Sequence, residues 1–171
     1  MMKLTALKVD PEFQGKIPPL TFEELEQLEK NIVNDGKVIN PIIVWNRLIV
    51  DGHNRYAILQ KHPDIPYTVH EKEFADRFEV IIWICKNQLG RRNLSPEQKN
   101  YLLGKQYEAE KVAHGGDRKS ADAKSSYHND NLISGEKTCD RIAKENGVNR
   151  ITVIRAEKFA NCVDEAEKIS P

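Results

Sequence analysis

Apolar positions at Leu25, Leu28, Ile32 and Val33 return every three or four residues, the spacing of an amphipathic helix. The borders of that helix are written beside it: Thr21-Phe22-Glu23-Glu24 forms a capping box, and Gly36 supplies the expected stop. Leu4 to Val9 alternates apolar and polar residues and predicts a first strand, with Pro11 to Pro19 as a connecting loop. Pro41 to Val44 and Arg47 to Val50 predict a tight hairpin around Trp45-Asn46-Arg47. Gly52 follows, and a helix is expected from about His53 to Lys61. Tyr67 to His70 is a short strand candidate.

Phe74, Phe78, Ile81, Ile82, Cys85 and Leu89 predict a further amphipathic helix over 74–89 with its stripe in the core. Gly90 to Glu97 reads as a hinge, in which Ser95 is an N-cap and Pro96 the first residue of a long helix to about Ala113. Residues 114–137 change character. Gly, Ser, Asn, Asp and Lys replace large apolar side chains, the four basic and four acidic residues cancel, and the segment reads as a flexible linker.

From Thr138 to Ala156 the pattern is that of a helix-turn-helix. A small Ala143 lets two helices approach, Gly147 takes the turn, Val148 fills the corner, Asn149 caps the second helix, and Val153 and Ala156 face the packing side. Arg150, Thr152 and Arg155 then point outward near the N-terminal end of the second helix, where they can reach base edges or phosphates of double-stranded DNA. Lys158 is placed for backbone contact. The alternative for the same pattern is a helical hairpin that packs on another protein.

Composition narrows the class. Charged residues make up 30% of the 171 and mean hydropathy is -0.61, and the longest apolar run is far too short for a membrane span, so no membrane partner is expected. The N-terminus lacks the continuous apolar stretch of a signal peptide, which leads to an expectation of cytoplasmic residence. Cys85, Cys139 and Cys162 are widely spaced and suit neither a disulfide framework nor a metal site. Net charge is zero but uneven: residues 1–85 carry 10 Lys and Arg against 13 Asp and Glu, and residues 86–171 carry 16 against 13. The basic excess sits on the half that holds the helix-turn-helix.

The turn between hairpin and helix carries the other candidate chemistry. Amides at a helix N-terminus favour negative charge, Gly52 lets a ligand approach the backbone, and Arg55 can pair with phosphate in a fork geometry. His53 titrates near neutrality and suits hydrogen bonding to a ligand, or acid–base work. Asp51 is the one carboxylate in the turn and reads as a helix-cap residue.

Three runs in order, Gly36 to Val44, Asp51 to Arg55, and Asn87-Gln88-Leu89-Gly90-Arg91-Arg92-Asn93-Leu94-Ser95-Pro96, make the chain resemble the ParB family. The resemblance extends through a ParB/sulfiredoxin-like N-terminal fold into the helix-turn-helix, over most of residues 1–165, and is nearer to the shorter ParB-like proteins of phages and mobile elements. It implies a turn that binds a nucleotide, typically CTP with magnesium. The family's Gly-Glu-Arg-Arg turn matches Gly52, His53, Asn54 and Arg55, keeping only the glycine and the last arginine. Its Glu-Asn-Leu-Gln-Arg motif falls on Asn87 to Arg91, with two neutral amides where the metal-associated pair would stand. A hard magnesium ion prefers carboxylate and phosphate oxygens, so the departure weakens metal binding, while Arg91 and Arg92 stay available to phosphate. Sulfiredoxin has a reactive cysteine where this chain has His53, which removes that reaction.

The expectation is therefore an α+β fold, a small mixed sheet with flanking helices, followed by an all-α helix-turn-helix region. Its parts are a ParB/sulfiredoxin-like domain over 1–90, a connecting long helix over 91–113, the linker over 114–137 and the DNA-binding region over 138–171. The nucleotide or phosphate site is Gly52, His53, Asn54, Arg55, Arg91 and Arg92; the DNA-binding residues are Asn149, Arg150, Thr152, Arg155 and Lys158; no catalytic or metal-ligating residue is assigned. A homodimer on DNA, acting in partition or transcriptional control, is the leading expectation. The alternative is a nucleotide-hydrolysing, phosphotransfer or nuclease enzyme that uses the Asp51 to Arg55 turn.

Overall fold

Thr21 and Gly36 bound the first long helix as their chemistry demands. In the computed structural model, which describes residues 4–91, 93–114 and 137–169, the Thr21 hydroxyl accepts from Glu24 N at 3.2 Å and Glu24 Oε2 accepts from Thr21 N at 2.9 Å. Arg92 and residues 115–136 of the expected linker lie outside the described residues. The elements are α1 (Pro11–Gly15), α2 (Phe22–Asp35), β1 (Ile42–Trp45), β2 (Leu48–Asp51), α3 (His53–Lys61), β3 (Val69–Glu71), α4 (Arg77–Leu89), α5 (Pro96–His114), α6 (Thr138–Asn146) and α7 (Arg150–Ile169). The fold is α+β, as expected: a mixed three-stranded sheet with flanking helices, then an all-helical region.

The chain divides into two compact units, Met1–Val80 and Ile81–Pro171, with the division inside α4. In the first unit the sheet order is β2-β1-β3, β1 pairing antiparallel with β2 and parallel with β3. The hairpin turns on Asn46 and Arg47, both at positive φ (49° and 65°), the handedness that matches strand twist in a two-residue turn. Ile42, Val44 and Ile49 from the strands, Ile32 from α2, and Ile58 and Leu59 from α3 form the core with Leu7 and Val38.

Four local expectations are corrected. Leu4 to Val9 is not a strand: Leu4–Ala6 is a 3-10 turn and only Lys8 bridges the sheet, at Leu48. The segment expected as a loop from Pro11 contains α1, because Asp10 accepts from Glu12 N and Phe13 N and Pro11 suits a first helical position. Val33 is exposed; Leu25, Leu28 and Ile32 carry the packing of α2. Helix α4 starts at Arg77 rather than Phe74, since Asp76 Oδ1 accepts from Glu79 N at 2.9 Å and so caps the first turn; Phe78 is part-exposed, and Val80, Ile81, Ile84 and Cys85 are buried.

In the second unit α5 starts as its sequence requires, with Ser95 Oγ accepting from Gln98 N at 3.2 Å and Gln98 Oε1 from Ser95 N at 2.9 Å. It packs along α7 and against α6, so residues 96–114 belong to the core of this unit. Leu103, Cys139, Ile142, Ala143, Val153 and Ala156 form that core. A methyl group on Gly104 would stand 2.2 Å from Ala156 O, so only glycine permits this approach of α5 to α7.

Candidate functional site

Strand β2 ends at Asp51 and α3 begins at His53, so Gly52 alone makes the turn, in the left-handed region at φ 100°. Gly52 has no side chain to cap α3, and the first turn holds no acidic residue. Its amides therefore present the partial positive charge of a helix N-terminus.

His53 is 6% exposed, and neither Nδ1 nor Nε2 has a hydrogen-bond partner. Burial pushes its imidazole below the usual histidine range; the Asp51 and Asp10 carboxylates oppose that and the Arg55 charge adds to it. With Asn54 it lines a cavity of about 460 Å³ whose other walls are α1, residues 17–20 and Leu25. None of the lining side chains is a lysine, an arginine or a carboxylate.

Arg55 folds beneath the turn. Its Nη2 donates to Asp51 Oδ2 at 2.8 Å and to Pro41 O at 3.1 Å, and its Nε is buried without a partner. A Cβ on Gly52 would lie 3.0 Å from Nη2, so the glycine also makes room for the guanidinium. Asp51 thus accepts from Arg55 instead of capping α3, whose N-cap is Gly52.

The wall of the cavity is held by residues that the sequence reading did not single out. Arg77 donates from Nη1 and Nη2 to the two Asp10 oxygens at 2.9 and 2.8 Å, pairs through Nε with Glu12 at 2.5 Å, and lies 4.6 Å above the Phe13 ring. The Arg77 guanidinium holds the Asp10 carboxyl below the usual carboxylate range. Asp10-Pro11-Glu12, a cap followed by a first-turn proline and an acidic residue, was the signal for α1.

Arg91 belongs to the second unit, exposed just past α4, with its backbone N–H donating to Gln88 O at 2.9 Å. Gln88 is buried and Asn87 exposed. No cluster of three His, Cys, Asp or Glu that would hold a metal exists among the described residues, and the neutral amides at 87 and 88 are poor ligands for a magnesium ion.

In the second unit α6 ends at Gly147, left-handed at φ 64°, and Val148 N–H returns to Ala143 O at 2.9 Å. Asn149 Oδ1 then accepts from Ile151 N at 2.9 Å and starts α7. Val153, Ala156 and Ala160 are fully buried, and Val148 packs against the same core. Asn149, Arg150, Thr152, Arg155 and Lys158 are all exposed, the first just before α7 and the others along its N-terminal half. Arg150 Nε lies 3.6 Å from Asp140 Oδ1, which ties it back toward α6.

No family model matches the sequence, and no curated protein matches it. Solved structures that match in fold include two of a pNOB8-like ParB N-domain. One shares 21% identity over 93% of this chain with a TM-score of 0.61; the other, a C2221 crystal form, shares 23% over 63% with a TM-score of 0.54. This chain spans 62% and 43% of those two chains. At that identity the likeness establishes the fold, that of a ParB N-domain. No described helix is long and apolar enough to cross a membrane.

Proposed function

We propose that this chain is a ParB-type DNA-binding protein, with a nucleotide or other phosphate-bearing ligand at the α3 N-terminus of the first unit and DNA read by α7 of the second. The observation that carries the DNA reading is the division of α7 into two faces: Val153, Ala156 and Ala160 are wholly buried, whereas Asn149 just before it and Arg150, Thr152, Arg155 and Lys158 along its N-terminal half are exposed. A rigid helix with polar and cationic tips at its leading end suits a major groove. A homodimer on an inverted repeat, in partition or in transcriptional control, is the assembly this reading favours.

The ligand reading is supported by the uncapped α3 amides, the orphaned His53 nitrogens and the cavity that His53 and Asn54 line. A CTP-like molecule would meet backbone amides, His53 and Asn54 there, with Arg55 reinforcing the turn and its buried Nε still unpaired. Titrating CTP, ATP and GTP calorimetrically against the full chain, with and without magnesium, tests it; affinity unaffected by magnesium is the expected result for this donor set.

DNA binding is tested by anisotropy at fixed salt, on duplexes selected from a randomised pool with the full chain. Arg155→Ala is expected to weaken the selected duplex about tenfold, since a base or phosphate contact of this kind is worth about 1–3 kcal/mol. Unchanged affinity overturns the placement of DNA on α7.

A further inference from the structure

Ile151 is 56% exposed, a large aliphatic side chain among the exposed polar residues Asn149, Arg150, Thr152 and Arg155 at the start of α7. It stands in the first turn of α7, where its N–H is held by Asn149 Oδ1 at 2.9 Å, so its position is set by the cap. Helical spacing places Ile151, Arg155 and Lys158 on a single stripe at i, i+4 and i+7. Val153, Ala156 and Ala160 form the buried stripe on the other side. Ile151 therefore contributes nothing to the core, and two exposed cations follow it along the same line of the helix.

The cations select the partner. A stripe with two positive charges behind an apolar tip complements a polyanion, and a helix that enters a groove with its N-terminal end first brings that tip to the bases while later turns remain near phosphate. The apolar group that the major groove offers is the 5-methyl of thymine. The geometry points to Ile151 as the residue that reads a thymine methyl, a specificity determinant added to the polar contacts of α7. This inference rests on the DNA reading proposed above, and the experiment separates the two.

Duplexes are selected from a randomised pool with the full chain, and each thymine of the selected site is then replaced by deoxyuridine, which removes the methyl and leaves the hydrogen-bonding edges intact. At one thymine in the site, wild type is expected to lose about fourfold in affinity, the factor for one methyl taken out of contact. Ile151→Ala binds the thymine duplex more weakly and no longer distinguishes it from the uracil duplex, while Ile151→Val keeps the discrimination. Circular dichroism of the Ala variant should match wild type, because the side chain is outside the core. A wild-type protein indifferent to uracil at every position, a selected site without thymine, or an Ala variant that discriminates as wild type does each overturns the assignment. Failure to select any duplex overturns the DNA reading beneath it as well. An Ala variant with unaltered DNA binding and an altered oligomeric state assigns Ile151 to a protein contact instead.

Discussion

The two units differ in how they treat their most deeply buried titratable side chains, Glu110 in the second and His53 in the first. In the second, Glu110 is 1% exposed and fully engaged: Arg141 Nη2 lies at 2.5 Å, Gln106 Nε2 at 2.9 Å and Lys86 Nζ at 3.5 Å. Lys105 is likewise gripped by Asp164 at 2.8 Å and by Glu108, and the Tyr101 hydroxyl donates to Asp164, which together with burial pushes that phenol above its usual range. In the first unit His53 is nearly as deep and both of its nitrogens go unpaired. A buried donor or acceptor without a partner costs about 1–3 kcal/mol, so a fold retains one where something other than the fold uses it. The first unit turns its chemistry inward to a cavity. The second pairs its buried charges, leaves the Gln88 and Gln106 amide oxygens without a partner, and presents its chemistry on the outside of α7.

Breaking the second unit should have the largest effect. Gly104→Ala places a methyl 2.2 Å from a backbone carbonyl that cannot move without shifting α7, and is expected to destabilise this unit by about 3 kcal/mol. Amide exchange across α5 and α7 should accelerate while β1 and α3 keep their protection and DNA binding is lost. Uniform acceleration throughout the chain would mean that the units do not unfold separately.

The next test is sharper because its sign is unusual. His53→Leu removes the unpaired nitrogens and is expected to raise stability of the first unit by about 1 kcal/mol at pH 6 while removing ligand affinity. The pH dependence follows from the lowered His53 pKa. Above the ordinary value of about 6.5 the imidazole is neutral whether the chain is folded or not; below it the unfolded chain takes up a proton that the folded one refuses, so stability falls with pH. Urea titrations between pH 5 and pH 8 should show that slope in wild type and a shallower one in the variant. Lower stability at every pH would make His53 a structural residue.

The smallest effect concerns the cavity wall. Arg77→Ala unlinks α4 from α1 and should cost the first unit about 1 kcal/mol at pH 7, the range for a part-exposed, bidentate pair. The pair depresses the Asp10 pKa, so its contribution is complete above the ordinary carboxylate value of about 4 and is lost as pH falls through the lower folded value. Acid titration of wild type against the variant should converge there; curves parallel down to pH 2 would show that Asp10 gains nothing from Arg77.

Short-range chemistry determined a great deal. Thr21 with Glu24, Ser95 with Pro96, Gly36, Gly147 and Asn149 each act on backbone within four residues, and the helices they bound start and stop where those residues place them. The stripes of α6 and α7 were equally legible, because a helix makes its own periodicity. Misreadings arose where an apolar pattern had two physical meanings. Leu4 to Val9 alternates like a strand but pairs with the sheet only at Lys8, and Phe74 extends a helical stripe that Asp76 cuts short.

What the tertiary structure alone decided lies at long range. The sequence by itself marked Gly52-His53-Asn54-Arg55 as a turn with anion-binding amides, but Arg55 is drawn to Asp51 and to the Pro41 carbonyl, and His53, not the arginine, faces the cavity. Arg77 reaches back 67 residues to Asp10, and Gly104 matters only because Ala156 O lies against it. Hydrogen-bond partners and close approaches at such separations depend on packing, which no local spacing encodes. Local residues settled which elements form and where they end; only packing settled which side chains were left with a bond to give.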